Sequence, residues 1–259
     1  MMNYKEVVQE RVLGNNPRIE ILNTVIDVLS VSQTIELVEK YVKTKTPLHL
    51  MGVNADKINE VNQNERMKQI VNSCGIINAD GVSVVMASKF LKKPLPERVA
   101  GVDLMQSLVE LSEKKGYSIY LLGAKQEVVE KTADVLKNKH KNLRVAGIHN
   151  GYFKEENWKD ISDELCQKKP DFVFVGITSP LKEYLIEYLQ ENGNNCVFMG
   201  VGGSFDVISG NISRAPLWMQ KANLEWLYRV MQEPKRLFKR YFIGNFKFIK
   251  AIVWEKLKK

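Results

Sequence analysis

Residues 118–148 read SIYLLGAKQEVVEKTADVLKNKHKNLRVAGI, and they decide the fold. An apolar, strand-like run, Ser118–Leu122, leads into a segment of helical spacing and then a second run, Leu143–Ile148. In the middle segment Val128, Val129, Thr132, Ala133 and Leu136 fall on one helical face. The same alternation continues on both sides. Strand-like runs at Ile19–Val28, Leu48–Val53, Gly75–Asn78, Asp171–Ile177 and Cys196–Val201 are separated by longer helical segments, with Gly116, Gly151 and Gly193 near helix ends or strand starts. This pattern predicts an α/β fold: a mostly parallel sheet with helices on both faces. A length of 259 residues suits one large domain, or one domain with a small appendage.

The character changes near residue 211. Beyond Arg214-Ala215-Pro216 no strand is expected. Leu224, Leu227, Tyr228 and Met231 form a helical stripe that Pro234 interrupts, and Leu237, Phe238, Tyr241 and Phe242 form a second, with Arg236, Lys239 and Arg240 turned elsewhere. We therefore divide the chain into an α/β core, residues 1–210, and a helical appendage, residues 211–259. Charge follows the same division. Residues 214–259 hold twelve Lys/Arg against three acids, a net of +9, so the remainder of the +8 chain carries −1. Nine of the 23 aromatics lie there too, including Trp218, Trp226 and Trp254. A basic, aromatic helical segment fits an anionic membrane surface. Single-stranded nucleic acid and a solvated face with its aromatics turned inward are the alternatives.

Other classes lose support. No apolar run reaches the roughly 18 to 20 residues of a spanning helix, and the N-terminus lacks a signal-peptide core, so a cytoplasmic location is expected. Cys74, Cys166 and Cys196 form no CxxC pair and are expected to be buried free thiols. His49, His140 and His149 show no ligand spacing, so no metal site is expected.

Ligands of a parallel sheet bind beyond the carboxyl ends of its strands. Three motifs fall there: Val53-Asn54-Ala55-Asp56, Asn78-Ala79-Asp80-Gly81 and Gly200-Val201-Gly202-Gly203-Ser204-Phe205-Asp206. Asp80 reads either as a general base or as a cap on the helix that follows it. Gly202 and Gly203 bare the backbone N–H groups to a phosphate, or simply make a tight turn. Neither GxGxxG nor GxxxxGK[ST] occurs, which removes support from a dinucleotide-binding oxidoreductase and from a P-loop. Asp-x-Asp is absent as well, so the charge of a bound phosphate is expected to meet Arg, Lys and backbone N–H groups rather than a cation.

Taken in order, these motifs, together with Pro94-Leu95-Pro96-Glu97-Arg98-Val99-Ala100-Gly101-Val102-Asp103-Leu104, Tyr120-Leu121-Leu122-Gly123, Arg214-Ala215-Pro216, Leu224-Glu225-Trp226-Leu227-Tyr228-Arg229 and Gln232-Glu233-Pro234, resemble the WecG/TagA/CpsF glycosyltransferases, glycosyltransferase family 26. The resemblance runs from about Ile19 to about Gly244; residues 1–18 are an extension beyond it. It implies a Rossmann-like core and an inverting, metal-independent transfer without a cofactor. The donor would be a UDP-sugar and the acceptor a saccharide on undecaprenyl diphosphate, for teichoic acid or other surface polysaccharide. N-acetylmannosamine is the first donor expectation and a UDP-hexose the second. A peripheral place on the inner face of the plasma membrane follows, with no nucleic acid as partner and with a homo-oligomer left open.

Residue by residue, the resemblance implies Asp80 as base, with Arg98 and Asn54 beside it in the catalytic set. It implies substrate contacts from Gly202, Gly203, Ser204 and Asp206 and from appendage arginines at Arg229, Arg236 and Arg240. This chain departs from the family pattern at two points. Gly52-Val53-Asn54 stands where Thr-Pro-Asn is frequent, and Pro180-Leu181-Lys182-Glu183 where Pro-Lys-Gln-Glu is frequent. Lys182 and Glu183 thus enter the implied sugar pocket, and both departures bear on the donor rather than on the reaction.

Overall fold

A computed structural model describes residues 16–258, with the side chains of Arg236, Lys239 and Arg240 outside the description. Most of the extension, residues 1–15, falls outside it as well. The chain enters through an antiparallel hairpin, β1 (Arg18–Ile21) and β2 (Thr24–Asp27), which forms a two-stranded sheet of its own. The single run expected at Ile19–Val28 is therefore two strands. Leu22 and Asn23 both take positive φ, 47° and 58°, and this two-residue turn suits the twist of a hairpin. Asp27 anchors the hairpin: its carboxylate accepts Arg18 Nε (2.8 Å) and the Ile77 N–H (2.7 Å). Burial raises the pKa of Asp27, and the charge of Arg18 opposes the rise.

The main elements follow in the order α1 (Val31–Lys43), β3 (Leu48–Val53), α2 (Ala55–Val61), α3 (Glu65–Asn72), β4 (Ile76–Ala79), α4 (Val82–Phe90), α5 (Gly101–Lys115), β5 (Ser118–Gly123), α6 (Gln126–Lys139), β6 (Arg144–His149), α7 (Trp158–Lys168), β7 (Phe172–Gly176), α8 (Leu181–Glu191) and β8 (Val197–Gly200). After α9 (Ser204–Ile208) come α10 (Leu217–Lys221), α11 (Glu225–Gln232) and α12 (Pro234–Leu257), and no strand follows β8 among the described residues. Caps explain several starts. Ser30 and Gln33 form a capping box on α1, while Asn54 and Asn64 cap α2 and α3. Gly116 closes α5 in the left-handed conformation, φ 70°.

The six strands β3 to β8 are all parallel, in the order β4-β3-β8-β7-β5-β6, as the alternation predicts. Alternate strand residues point to opposite faces. Leu50, Ile76, Leu121, Phe174 and Met199 meet α1, α5, α6 and α9 on one face. On the other face Met51, Val53 and Ile77 meet α2, α3 and α4, while Tyr120, Val173 and Phe198 meet α7 and α8. The expected face of α6 is buried throughout: Val128, Val129, Thr132, Ala133 and Leu136. One expectation fails. Cys74 and Cys196 are buried, but Cys166 is exposed, because its neighbour Leu165 takes the core-facing position of α7.

Pro234 starts α12 as its first helical residue, where its missing N–H is harmless. Phe248 and Ile252 on this helix are 1% and 4% exposed and join the core around α2. Burying such side chains is worth about 1.5–3 kcal/mol each. Asn59 Nδ2 donates to the Gly244 carbonyl (2.8 Å), and Glu255 accepts the Leu22 N–H (3.0 Å), so the last helix is fastened to both α2 and the hairpin.

Candidate active site

The chain leaves β3 for α2 on one face of the sheet and leaves the adjacent β8 for α9 on the other. Neighbouring strands whose connections part in this way open a crevice at their carboxyl ends. Asn54 and the Gly202-Gly203 turn border it from β3 and β8, and Asp80 adds the end of β4, one strand further out.

Asp80 does not cap α4. The N-cap there is Gly81, without any side-chain bond. The Asp80 carboxylate crosses instead to α5, where Oδ1 accepts the Gly101 N–H (2.9 Å); Oδ2 has no hydrogen-bond partner among the described residues. Small residues make room for it. A Cβ on Gly52 would lie 3.3 Å from Asp80 Cβ, and one on Gly81 would lie 3.0 Å from Asn54 Cβ. Glycine at 81 is therefore a matter of close approach, since its φ is an ordinary −90°. Asn54 turns its Oδ1 to the Lys57 N–H (3.0 Å). Arg98 Nε donates to the Asp80 backbone carbonyl (2.7 Å), which sets the guanidinium beside the strand end.

Across the crevice, Gly202 holds φ 52°, a left-handed conformation that suits glycine. A Cβ on Gly203 would come within 3.0 Å of Arg229 Nη2, so the guanidinium from α11 rests on the turn. Ser204 is buried and its hydroxyl donates to the Val201 carbonyl (2.7 Å), inward rather than toward the crevice. Asp206 lies in the first turn of α9. The side chains of Arg236 and Arg240 lie outside the described residues.

Lys182 lays its stem on bare Gly200, where a Cβ would meet its Cε at 2.5 Å. Behind it Glu183 is wholly buried, 3.3 Å from Lys182 Nζ and 3.1 Å from Lys57 Nζ. Burial alone would raise the Glu183 pKa, but Lys182 and Lys57 outweigh it and hold the carboxyl down at about 2. Lys57 also reaches Glu60 (3.1 Å) and the Ser179 hydroxyl. His49 completes this polar seam between the two apolar clusters of its face. Its burial pushes its pKa down to about 4, against the pull of Glu183, so the ring is neutral at pH 7. Its Nε2 has no partner among the described residues. Glu183 is thus a counter-ion inside the fold that holds Lys182 at the crevice edge.

One motif of the appendage does more than the sequence indicated. Glu225, on α11, accepts Arg98 Nη2 (3.3 Å) with one oxygen and Arg214 Nε (3.2 Å) with the other. Arg214 in turn grips Asp103 of α5 through two bonds of 2.7 Å. Neither partnership has a spacing signal, for Arg98 and Glu225 are 127 residues apart and Asp103 and Arg214 are 111 apart.

The family described as Glycosyl transferase WecG/TagA/CpsF family matches residues 19–259. This chain belongs to the WecG/TagA/CpsF family of glycosyl transferases. Among its relatives is an N-acetylglucosaminyldiphosphoundecaprenol N-acetyl-beta-D-mannosaminyltransferase of Bacillus spizizenii. It is 34% identical over 194 residues, which cover 75% of this chain and 74% of the relative. A protein of the same name from Staphylococcus aureus is 32% identical over 259 residues, covering 97% of this chain and 98% of the relative. As a WecG/TagA/CpsF glycosyl transferase, the chain is an enzyme of sugar transfer. Asp80, Arg98, Glu225 and Arg229 all fall within the matched residues.

Proposed function

We propose that this protein transfers N-acetylmannosamine from its UDP conjugate to N-acetylglucosaminyl-diphosphoundecaprenol, with Asp80 as the general base. The observation that carries the reading is the placing of Asp80. It ends a strand at the crevice, one oxygen is steadied by the Gly101 N–H, and the other has no hydrogen-bond partner among the described residues. The relatives named above act on that acceptor by name, which supports the choice of substrate.

The acceptor hydroxyl gives its proton to Asp80 as its oxygen attacks the anomeric carbon. The bond from that carbon to the β-phosphate oxygen breaks, and its electron pair leaves with UDP. Attack from the side opposite UDP inverts the anomeric configuration. Charge grows on the diphosphate as the bond opens. Arg229, resting on the Gly202-Gly203 turn, meets it there with the backbone N–H groups, and such preorganised donors act most on the transition state. Lys182, lying against Gly200 just before the same turn, adds a further cation there.

An acceptor on a polyprenyl chain brings the enzyme to a bilayer. No helix among the described residues is long and apolar enough to cross one. The appendage offers a surface instead. Phe238, Phe242, Phe246, Ile249, Val253 and Leu257 repeat along one side of α12 and are exposed, at 43–76%. An apolar stripe of this length beside many lysines suits the interface of an anionic membrane, where each basic residue contributes about 1 kcal/mol.

The test of the catalytic reading is Asp80→Asn, which keeps the shape and removes the basicity. With UDP-N-acetylmannosamine and a soluble analogue of the acceptor, turnover falls by roughly a hundredfold or more, the usual scale for a lost general base. UDP binding stays as it was. Turnover near the wild-type level at saturating acceptor would reduce Asp80 to a helix cap.

A further inference from the structure

We infer that Glu225 is a positioning residue that couples the docking of the appendage to the catalytic strand end. The inference rests on the functional reading above, and it concerns a residue that touches no reacting atom.

The bonds form a closed circuit. Beginning at Asp80, the carboxylate accepts the N–H of Gly101, the first residue of α5 (2.9 Å). Two residues on, Asp103 in the first turn of the same helix binds Arg214. Arg214 binds one oxygen of Glu225, and the other oxygen binds Arg98. The circuit closes where Arg98 Nε donates to the Asp80 carbonyl. From the appendage, Glu225 binds Arg98 directly. Its side chain is 14% exposed, and those of Arg98 and Arg214 are 26% and 24%. Charge-assisted bonds at such half-buried positions are stronger and better directed than bonds between neutral groups.

The spacing on α11 gives the circuit its consequence. Glu225 and Arg229 are four residues apart, hence on one face of the helix. Glu225 reaches the Asp80 side of the crevice while Arg229 reaches the Gly203 side. One short helix therefore spans from the base to the phosphate turn. When Glu225 holds Arg98, Arg229 is carried to its place and the Arg98 loop is steadied on the Asp80 carbonyl. Loss of the Glu225 charge frees both ends together. Misplacement of a catalytic constellation by about 1 Å can cost on the order of a hundredfold.

The test uses the full-length protein and the variants Glu225→Gln, Arg214→Gln and the pair of them. Each single change is expected to lower kcat/KM for the UDP-sugar about tenfold or more, with the urea midpoint of the core unchanged. The double variant is expected to lose no more than either single, because both act through one circuit. Hydrogen exchange is the second measurement. Amides in residues 225–232 and in residues 97–103 should both exchange faster in Glu225→Gln. Activity within twofold of wild type, or losses that multiply in the double variant, would overturn the coupling. So would faster exchange in only one of the two segments. A wild-type protein that transfers no sugar from any UDP-sugar to the lipid-diphosphate analogue would instead defeat the functional reading, and exchange at the two segments would then decide the circuit alone.

Discussion

Glu183 offers a sharp test of the electrostatics beneath the crevice. Its side chain is fully buried, and two ammonium groups lie 3.1 and 3.3 Å from it. Glu183→Gln keeps the volume and removes the charge, leaving Lys182 and Lys57 facing an amide. Lys57 keeps Glu60, so the loss falls mainly on Lys182. The magnitude follows from linkage. The carboxyl's pKa is held down from its ordinary 4.5 to about 2 in the folded protein. A depressed folded pKa stabilises the fold above the unfolded value, and the contribution fades as pH falls from 4.5 toward 2. The difference corresponds to roughly 3 kcal/mol at pH 7, falling to about 1 kcal/mol at pH 3. That agrees with the roughly 3–5 kcal/mol lost when one partner of a buried pair is removed. Urea unfolding of wild type and variant, followed by circular dichroism at pH 7 and pH 3, measures the gap at each pH; titration of groups remote from Glu183 cancels in the comparison, while His49, whose pKa Glu183 raises, titrates differently in the two proteins. A gap below about 0.5 kcal/mol at pH 7 refutes the reasoning, and so does a gap that is equal at the two pH values.

Two further predictions concern the phosphate turn and the appendage. Transfer persists after exhaustive EDTA treatment, whereas Arg229→Ala, which empties the space over Gly203, lowers kcat with the soluble acceptor by roughly a hundredfold, the scale of a lost transition-state donor; activity lost to EDTA and restored by magnesium would require a cation in the turn. Replacing Phe242, Phe246 and Ile249 with Ser, together with Lys247→Gln and Lys250→Gln, weakens binding to anionic liposomes more than tenfold while transfer to the soluble acceptor continues, because these side chains lie on the exposed side of α12; unchanged sedimentation with liposomes would remove the membrane from that surface.

The strand–helix alternation was readable because each buried strand is a short apolar run and each covering helix shows its core face every third or fourth residue. Helix α6 is the plainest case, with all five expected residues buried. The hairpin was harder to read. In residues 19–28 apolar residues recur on both sides of the turn, and Asn23 is the hint of a turn between two strands. Burial of Cys166 was misjudged for a related reason. Cysteine is a common core residue, yet position on the helix decides, and Leu165 holds the inward place.

The site divides along the same line between local and long-range information. Asp80 and Gly202-Gly203 could be singled out because a strand end and a bare backbone are local features, whereas the alternative, a cap by Asp80 on the helix that follows it, is absent. One carboxylate oxygen accepts instead the N–H of Gly101, the first residue of α5. The seam of His49, Lys57 and Glu183 left no pattern to read, because its members come from a strand and two helices that only the packed sheet brings together. Glu225 stands between these cases. Its spacing to Arg229 showed that both share a helix face, but not that one would reach Arg98 and the other Gly203. The parallel sheet keeps Asp80 and the Gly202-Gly203 turn on separate strands, with β3 between them. The two are joined by an element laid across the strand ends, and α11 is that element. The appendage thus ties the two sides of the crevice together through Glu225 and Arg229.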